Sequence, residues 1–302
     1  MMGAREQWLT VKTDDGRTLR ALVDQSTTGR PLVFHWGTPG SAVWFERLAD
    51  AAAEAGLRLI TYSRPGYDGS GPAPGRLVAS AVSDVEAILD ALGESEYLTL
   101  GWSGGGPHAL ACAALSRGRC LAAGTIAGVA PYLADDLDWL AGMAAENVEE
   151  FSAAIEGAQA LQPLLEKFAQ ELKTVQGPDV AASLGTLVSD VDKQALTGEF
   201  ADMLAASFRE AVSTGVEGWL EDDLAFVTDW AFQLEDITIP VAIWQGEQDR
   251  MVPFAHGRWL AARIPTAQAH LHREHGHLSL GVASLGRIVG DLASQADRAT
   301  IR

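Results

Sequence analysis

Cysteine is nearly missing from this chain of 302 residues: Cys112 and Cys120 are its only two. Two thiols make neither a disulfide framework nor a metal-ligand set, and Cys112 falls in an Ala-rich helical pattern where a buried free thiol is ordinary. Redox chemistry is set aside on that ground. Long apolar runs are missing too. The opening residues MMGAREQWLT carry no signal-like apolar stretch, and no later segment offers about 18 uninterrupted apolar residues for a membrane span. The expectation is a soluble, cytoplasmic chain with no membrane partner. Basic residues are scarce, 22 Lys and Arg against 40 Asp and Glu, for a formal charge of −18. Phosphate binding needs clustered cations that displace counterions, so a nucleic-acid partner is not expected.

What is present is apolar material for a large core, 47% of residues, enough for one big domain or a core with an appended subdomain. The acidic excess is concentrated. Between Pro131 and Glu235 there are 21 Asp and Glu against Lys167, Lys173, Lys193 and Arg209. The plain reading is a set of amphipathic helices kept soluble by charge.

The N-terminal third alternates strand-like and helical patterns, the mark of an α/β sheet with parallel strands. Trp8 to Lys12 and Thr18 to Asp24 flank an Asp-Asp-Gly turn and predict an antiparallel hairpin. Pro31 to His35, Leu57 to Tyr62 and Tyr97 to Leu100 predict buried strands, with another at Gly124 to Val129. Ala42 to Ala55 and Leu77 to Leu92 predict helices, each followed by a glycine, Gly56 and Gly93, where a helix would stop. From 131 to 235 the periodicity is helical, with breaks at Pro163, Gly177-Pro178, Gly198 and Gly215. Strands resume at Ile239 to Trp244 and Gln268 to His272, with helices from Pro253 to Ala262 and Leu280 to Leu292. The division expected is a core of residues 1–130 and 236–302 with a helical lid over 131–235.

Gly101-Trp102-Ser103-Gly104-Gly105 is a G-x-S-x-G run between a strand and a helix pattern. Small residues at 101 and 105 let the chain turn tightly enough to raise the Ser103 hydroxyl above the sheet edge in a strained conformation. The N–H of Gly104, at the start of the next helix, would point to the same place and favour an oxyanion there. Alone, such a run also describes a mere joining loop. A hydroxyl becomes a nucleophile only when a base takes its proton, so a His and an orienting acid must follow in the order Ser, acid, His. Asp249 lies just past the strand ending near Gln245, on the sheet edge where Ser103 emerges, and His277 follows the last strand. Glu247 and His275 are their rivals. His272, His275 and His277 match no zinc spacing, and His270 and His272 read as surface strand residues.

With these three in order, the chain resembles the α/β-hydrolase superfamily, in particular small esterase-like members with a helical cap. The likeness extends to Phe34-His35-Trp36-Gly37-Thr38-Pro39-Gly40-Ser41, similar to the family's H-G-x-P-G loop, and to Tyr62 through Gly71, similar to its Gly-rich loop after the fourth strand. It implies a mostly parallel eight-stranded sheet flanked by helices with a helical cap insertion. It also implies acyl transfer on a small-molecule ester, with Ser103 as nucleophile, His277 as base, Asp249 as its orienting acid, and the N–H groups of Thr38 and Gly104 as the oxyanion hole. No metal or organic cofactor is called for. Trp36 departs from the family, which usually has His there; His35 stands one place earlier. Ser103 speaks against epoxide and carbon–halogen chemistry, for which such members carry Asp. A proline iminopeptidase-like aminopeptidase, in which a cap carboxylate binds a free amine, and a C–C bond hydrolase remain alternatives, as does a non-catalytic small-ligand receptor. Trp36, Trp44 and Trp102 suit an apolar pocket, with Trp44 more simply read as packing.

Overall fold

Alternate residues of the central strands carry the fold, because a strand sends successive side chains to opposite faces. In the computed structural model, which describes residues 5–300, eight strands form one sheet. They are β1 (Glu6–Lys12), β2 (Thr18–Asp24), β3 (Arg30–His35), β4 (Leu57–Ser63), β5 (Tyr97–Trp102), β6 (Cys120–Ile126), β7 (Val241–Gly246) and β8 (Ala267–His272). Their spatial order is β1-β2-β4-β3-β5-β6-β7-β8. β2 pairs antiparallel with β1 and β4, and every other pairing is parallel. This is the mostly parallel eight-stranded sheet expected of an α/β-hydrolase fold.

Helices cover both faces. Leu32 and Phe34 of β3 join one apolar cluster with Leu48, Ala49 and Ala52 of α1 (Glu46–Glu54), while Val33 joins another with Val85, Ile88 and Leu89 of α2 (Ala81–Leu92). α3 (Gly105–Leu115) is buried along nearly its whole length. Between β6 and β7 the chain inserts α4 (Ala145–Glu156), α5 (Ala158–Leu172), α6 (Val180–Ser183), α7 (Asp190–Ala195), α8 (Gly198–Ala211) and α9 (Glu217–Phe226). α10 (Phe254–Arg263) follows β7, and α11 (Ser279–Thr300) closes the chain against α1 and β6. Among the described residues no helix is long and apolar enough to cross a membrane. Both cysteines are free and buried, and burial pushes the Cys112 thiol up to about 12.

Several predicted boundaries moved, among them β6, which runs over Cys120–Ile126 and not Gly124 to Val129. α1 begins at Glu46 and not at Ala42: Phe45 is extended, with φ −122° and ψ 96°, and the N–H groups of Ser41 and Ala42 bond to the hydroxyls of Ser207 and Ser63 at 3.2 and 3.0 Å. Pro163 does not break the insertion; it sits inside α5, and the break falls at Gly157, whose φ of 109° ends α4. α11 runs on to Thr300, eight residues past the predicted end.

Topology locates the functional edge. From β3 the chain goes out to β4 and returns across β3 to β5, so β3 and β5 are neighbours whose connections leave in opposite directions. Ligands of open α/β sheets bind at the carboxyl ends of strands at such a switch. His35 pairs with Gly101 across these two strands, which sets the loop after β3 beside the turn after β5.

Candidate active site

Ser103 occupies the turn between β5 and α3 at φ 55°, a left-handed conformation uncommon for a side chain other than glycine. The flanking glycines make this turn possible. A Cβ on Gly101 would run into the carbonyl of Gly105, and one on Gly105 into that of His35. The chain is therefore held in the tight turn expected of the Gly101-to-Gly105 run, with Gly104 as the N-cap of α3. Gly37 approaches so closely that a Cβ there would lie 3.3 Å from the Ser103 Cβ. The loop carrying Thr38 thus lies against Ser103.

That loop is held in an unexpected way. His35, one place before Trp36, points into the sheet, where its Nε2 is 3.0 Å from the Thr99 hydroxyl and its Nδ1 3.3 Å from that of Tyr62. Trp36 is buried edge-on against Phe34. Arg64 does the clamping, donating to the carbonyls of Trp36 and Gly37 at 2.5 and 2.9 Å and to the Thr38 hydroxyl at 3.1 Å. Asp222 on α9 completes the clamp by accepting from the Thr38 hydroxyl at 2.9 Å, from Tyr67 at 2.9 Å, and from Arg64 at 2.6 Å. Arg76 lies 2.6 Å from its other oxygen. Burial would raise the Asp222 pKa, yet the two guanidinium groups hold it well below the ordinary carboxylate value. Nearby His108 is kept neutral by burial, its pKa pushed down to about 4.

The candidate acid and base come together. Asp249, in the loop after β7, has its Oδ2 2.8 Å from His277 Nδ1. Its Oδ1 accepts from the N–H groups of Met251 and Val252 at 2.9 and 2.8 Å, and the Gln245 amide donates to Oδ2 at 3.0 Å. A carboxylate fixed on both oxygens fixes the imidazole in turn. It assigns the proton to Nδ1 and leaves the Nε2 lone pair for a substrate-side partner. Burial disfavours the imidazolium, but the charge and hydrogen bond of Asp249, with Asp192 behind it, outweigh that and raise the His277 pKa.

The rivals lie elsewhere. Glu247 is exposed and faces Arg273 at 3.8 Å. His275 meets His272 ring to ring at 5.8 Å. His270 and His272 are half-buried and not simply on the surface, stacking on Trp244 at 3.9 and 5.5 Å. Among the described residues no group of three His, Cys, Asp or Glu side chains is placed to hold a metal ion.

A cavity of about 530 Å³ opens between the sheet edge and the helical insertion. Ser103, Gly104, Thr38 and His277 all line it, as do Trp36 and Trp102; Trp44 does not. Within the insertion, the reading of solvated acidic helices holds for most carboxylates and fails for Glu150, Asp192, Asp222 and Asp223, which are buried. Asp192 on α7 accepts from the backbone N–H groups of His277, Leu278 and Ser279 at 3.1, 2.9 and 2.8 Å, capping the helix that begins just beyond the candidate base. Burial alone would raise its pKa, but these N–H groups and the neighbouring imidazole hold it below the ordinary value. The sequence does carry a signal for Asp222 and Asp223: they stand three and four residues from Trp219 and Phe226, on the apolar face of a helix. Asp192 is marked only as the end of a local Ser189-x-x-Asp192 capping box.

With this geometry in place, comparison with known proteins defines the class. The profile for the alpha/beta hydrolase fold matches residues 30–283. The chain belongs to that family. It is 27% identical over 278 residues to the non-heme chloroperoxidase of Streptomyces lividans, covering 89% of this chain and 94% of that protein. It is 29% identical over 252 residues to the pimeloyl-(acyl-carrier protein) methyl ester esterase of Aromatoleum aromaticum, covering 82% and 89%. In three dimensions it resembles the bromoperoxidase of Bacillus anthracis with a TM-score of 0.66 at 24% identity, covering 97% of this chain and all of that one.

Proposed function

We propose that this chain is a serine hydrolase cleaving small-molecule esters through a Ser103 acyl-enzyme. Ser103 Oγ attacks the carbonyl carbon while its proton passes to His277 Nε2. Asp249 keeps the imidazole in the acceptor tautomer and stabilises the imidazolium as it forms. The tetrahedral oxyanion takes hydrogen bonds from the N–H groups of Gly104 and Thr38, where one donor contributes about 2.7 to 4 kcal/mol of transition-state stabilisation. His277 then gives its proton to the leaving alkoxide, and a water activated by the same base releases the acid. Residues 131–235 serve as the lid over the cavity, and residues 1–130 with 236–302 as the catalytic core.

The observation that carries the reading is the buried 2.8 Å contact between His277 and Asp249, on the wall of the cavity that also holds a left-handed Ser103. The esterase among the relatives supports ester as the substrate class. Hydrolysis of a series of p-nitrophenyl esters tests it. The wild-type protein turns over at least one short acyl ester and Ser103→Ala reduces that rate to background; equal rates for the two proteins would reject the proposal.

A further inference from the structure

The loop after β3 is held from the helical insertion at two points. At its far end, the Ser41 N–H donates to the Ser207 hydroxyl on α8 at 3.2 Å, and the Ser41 hydroxyl donates to the Ser207 carbonyl at 3.3 Å. At its centre, the Thr38 hydroxyl donates to Asp222 Oδ2 on α9 at 2.9 Å. The second hold reaches further. Arg64 Nη2 donates both to the Gly37 carbonyl at 2.9 Å and to Asp222 Oδ2 at 2.6 Å. A trans peptide is planar, so the Gly37 C=O and the Thr38 N–H point in opposite directions from one rigid unit. Bonding the carbonyl to Arg64 therefore turns the Thr38 N–H away from Arg64. The same unit lies against Ser103, because a Cβ on Gly37 would sit 3.3 Å from the Ser103 Cβ.

Arg64 is buried, and its charge is costly there without a counterion. Asp222 supplies one from 158 residues along the chain. Adhesion of α9 to the core does not call for such a cluster, since apolar side chains would dock the helix without the cost of desolvating ions. We infer that Asp222 is a positioning residue for the Thr38 oxyanion donor, so that α9 of the insertion completes the oxyanion hole. The inference rests on the proposed Ser103 hydrolysis with the Thr38 N–H as a donor. Asp222 stands outside the cavity lining and acts through two intermediaries, the Arg64 guanidinium and the Thr38 hydroxyl. With α9 docked, the Gly37–Thr38 peptide is fixed before a substrate arrives, which is the preorganisation that oxyanion stabilisation requires.

Hydrolysis of p-nitrophenyl butyrate by three variants and one double variant tests this. Thr38→Val keeps the side-chain volume and the backbone N–H but removes the hydroxyl. It should lower kcat at least about tenfold with KM within about threefold, because a misplaced donor costs the transition state more than the bound ester. Thr38→Ser restores the hydroxyl and should recover most of that loss. Asp222→Asn should lower kcat at least as far as Thr38→Val does. Adding Thr38→Val to Asp222→Asn should slow it by no more than about threefold further, because both changes break one contact. A wild-type kcat in Thr38→Val, a serine variant as slow as the valine variant, a loss confined to KM, or a double variant slowed by the product of the single losses overturns the inference. Should Asp222→Asn fail to fold, the two Thr38 variants still decide. If the wild-type protein turns over no ester, the proposed hydrolysis fails and amide hydrogen exchange decides the positioning by itself. Residues 36–42 should then exchange at least about threefold faster in Thr38→Val than in the wild type, with β5 unchanged; equal exchange overturns the inference.

Discussion

Asp192→Asn separates the candidate base from the insertion that steadies it. The wild-type carboxylate accepts three backbone N–H bonds at the start of α11 and a fourth from Ser189 Oγ at 2.9 Å. An amide keeps one acceptor oxygen but turns an NH2 toward some of those donors and removes the charge. A hydrogen bond to a charged group contributes about 1.5–3 kcal/mol. A negative charge at a helix N-terminus adds about 0.3–1 kcal/mol. Losing one of each lowers stability by about 2–4 kcal/mol, and at about 2–4 °C per kcal/mol the melting temperature falls by about 4–16 °C. The depressed pKa of Asp192 gives the sign with pH: its contribution is complete above the unfolded value near about 3.9 and disappears as pH falls through the lower folded value. The gap between the two proteins therefore closes in acid. Asp192 also helps to raise the His277 pKa, so the acid limb of the kcat/KM profile should move to lower pH in the variant. A structural prop alone would lower the melting temperature and leave that limb in place. An unchanged melting temperature together with an unmoved limb refutes the reasoning.

Other outcomes follow from the same geometry. Asp222→Ala strands Arg64 and Arg76 in the interior, and urea denaturation should show a loss of about 3–5 kcal/mol. The wild-type kcat/KM for an ester should fall as pH drops through a value above the ordinary imidazole pKa of about 6.5, because the neutral ring is the base and its pKa is raised. Gly104→Ala drives a Cβ into the Thr38 hydroxyl and to 3.0 Å from Phe226, and should lower kcat by about 10²–10³ with KM less affected. A panel comparing p-nitrophenyl esters with proline naphthylamide should show turnover of the esters.

What could be read from the sequence was whatever is fixed by neighbours along the chain. Ser103 follows a buried strand in a glycine-rich turn, and Asp249 and His277 each follow a strand on one edge, so local pattern and parallel topology bring Ser103 and His277 to one cavity and Asp249 to His277. The sheet, the helical insertion and the tight turn at Ser103 all belong to this class of information. The loop clamp does not. Nothing in Phe34-His35-Trp36-Gly37 indicates that His35 turns into the sheet and that Arg64 takes over the loop, because that depends on which side of β3 each residue faces and on a partner 158 residues from Arg64. The acidic insertion is the clearest case. Glu150 and Asp192 look like the exposed carboxylates around them; Asp222 and Asp223 are marked by their helical spacing from Trp219 and Phe226, yet what all four hold follows only from the docking of α4, α7 and α9 over the sheet edge.

The proposed chemistry requires Ser103 to be an activated nucleophile. Treatment with a fluorophosphonate probe, followed by intact mass and peptide mapping, tests it most directly. One label per chain, on the peptide containing Ser103 and missing from Ser103→Ala, is the predicted result; labelling that persists in the variant, or that falls on another residue, contradicts it.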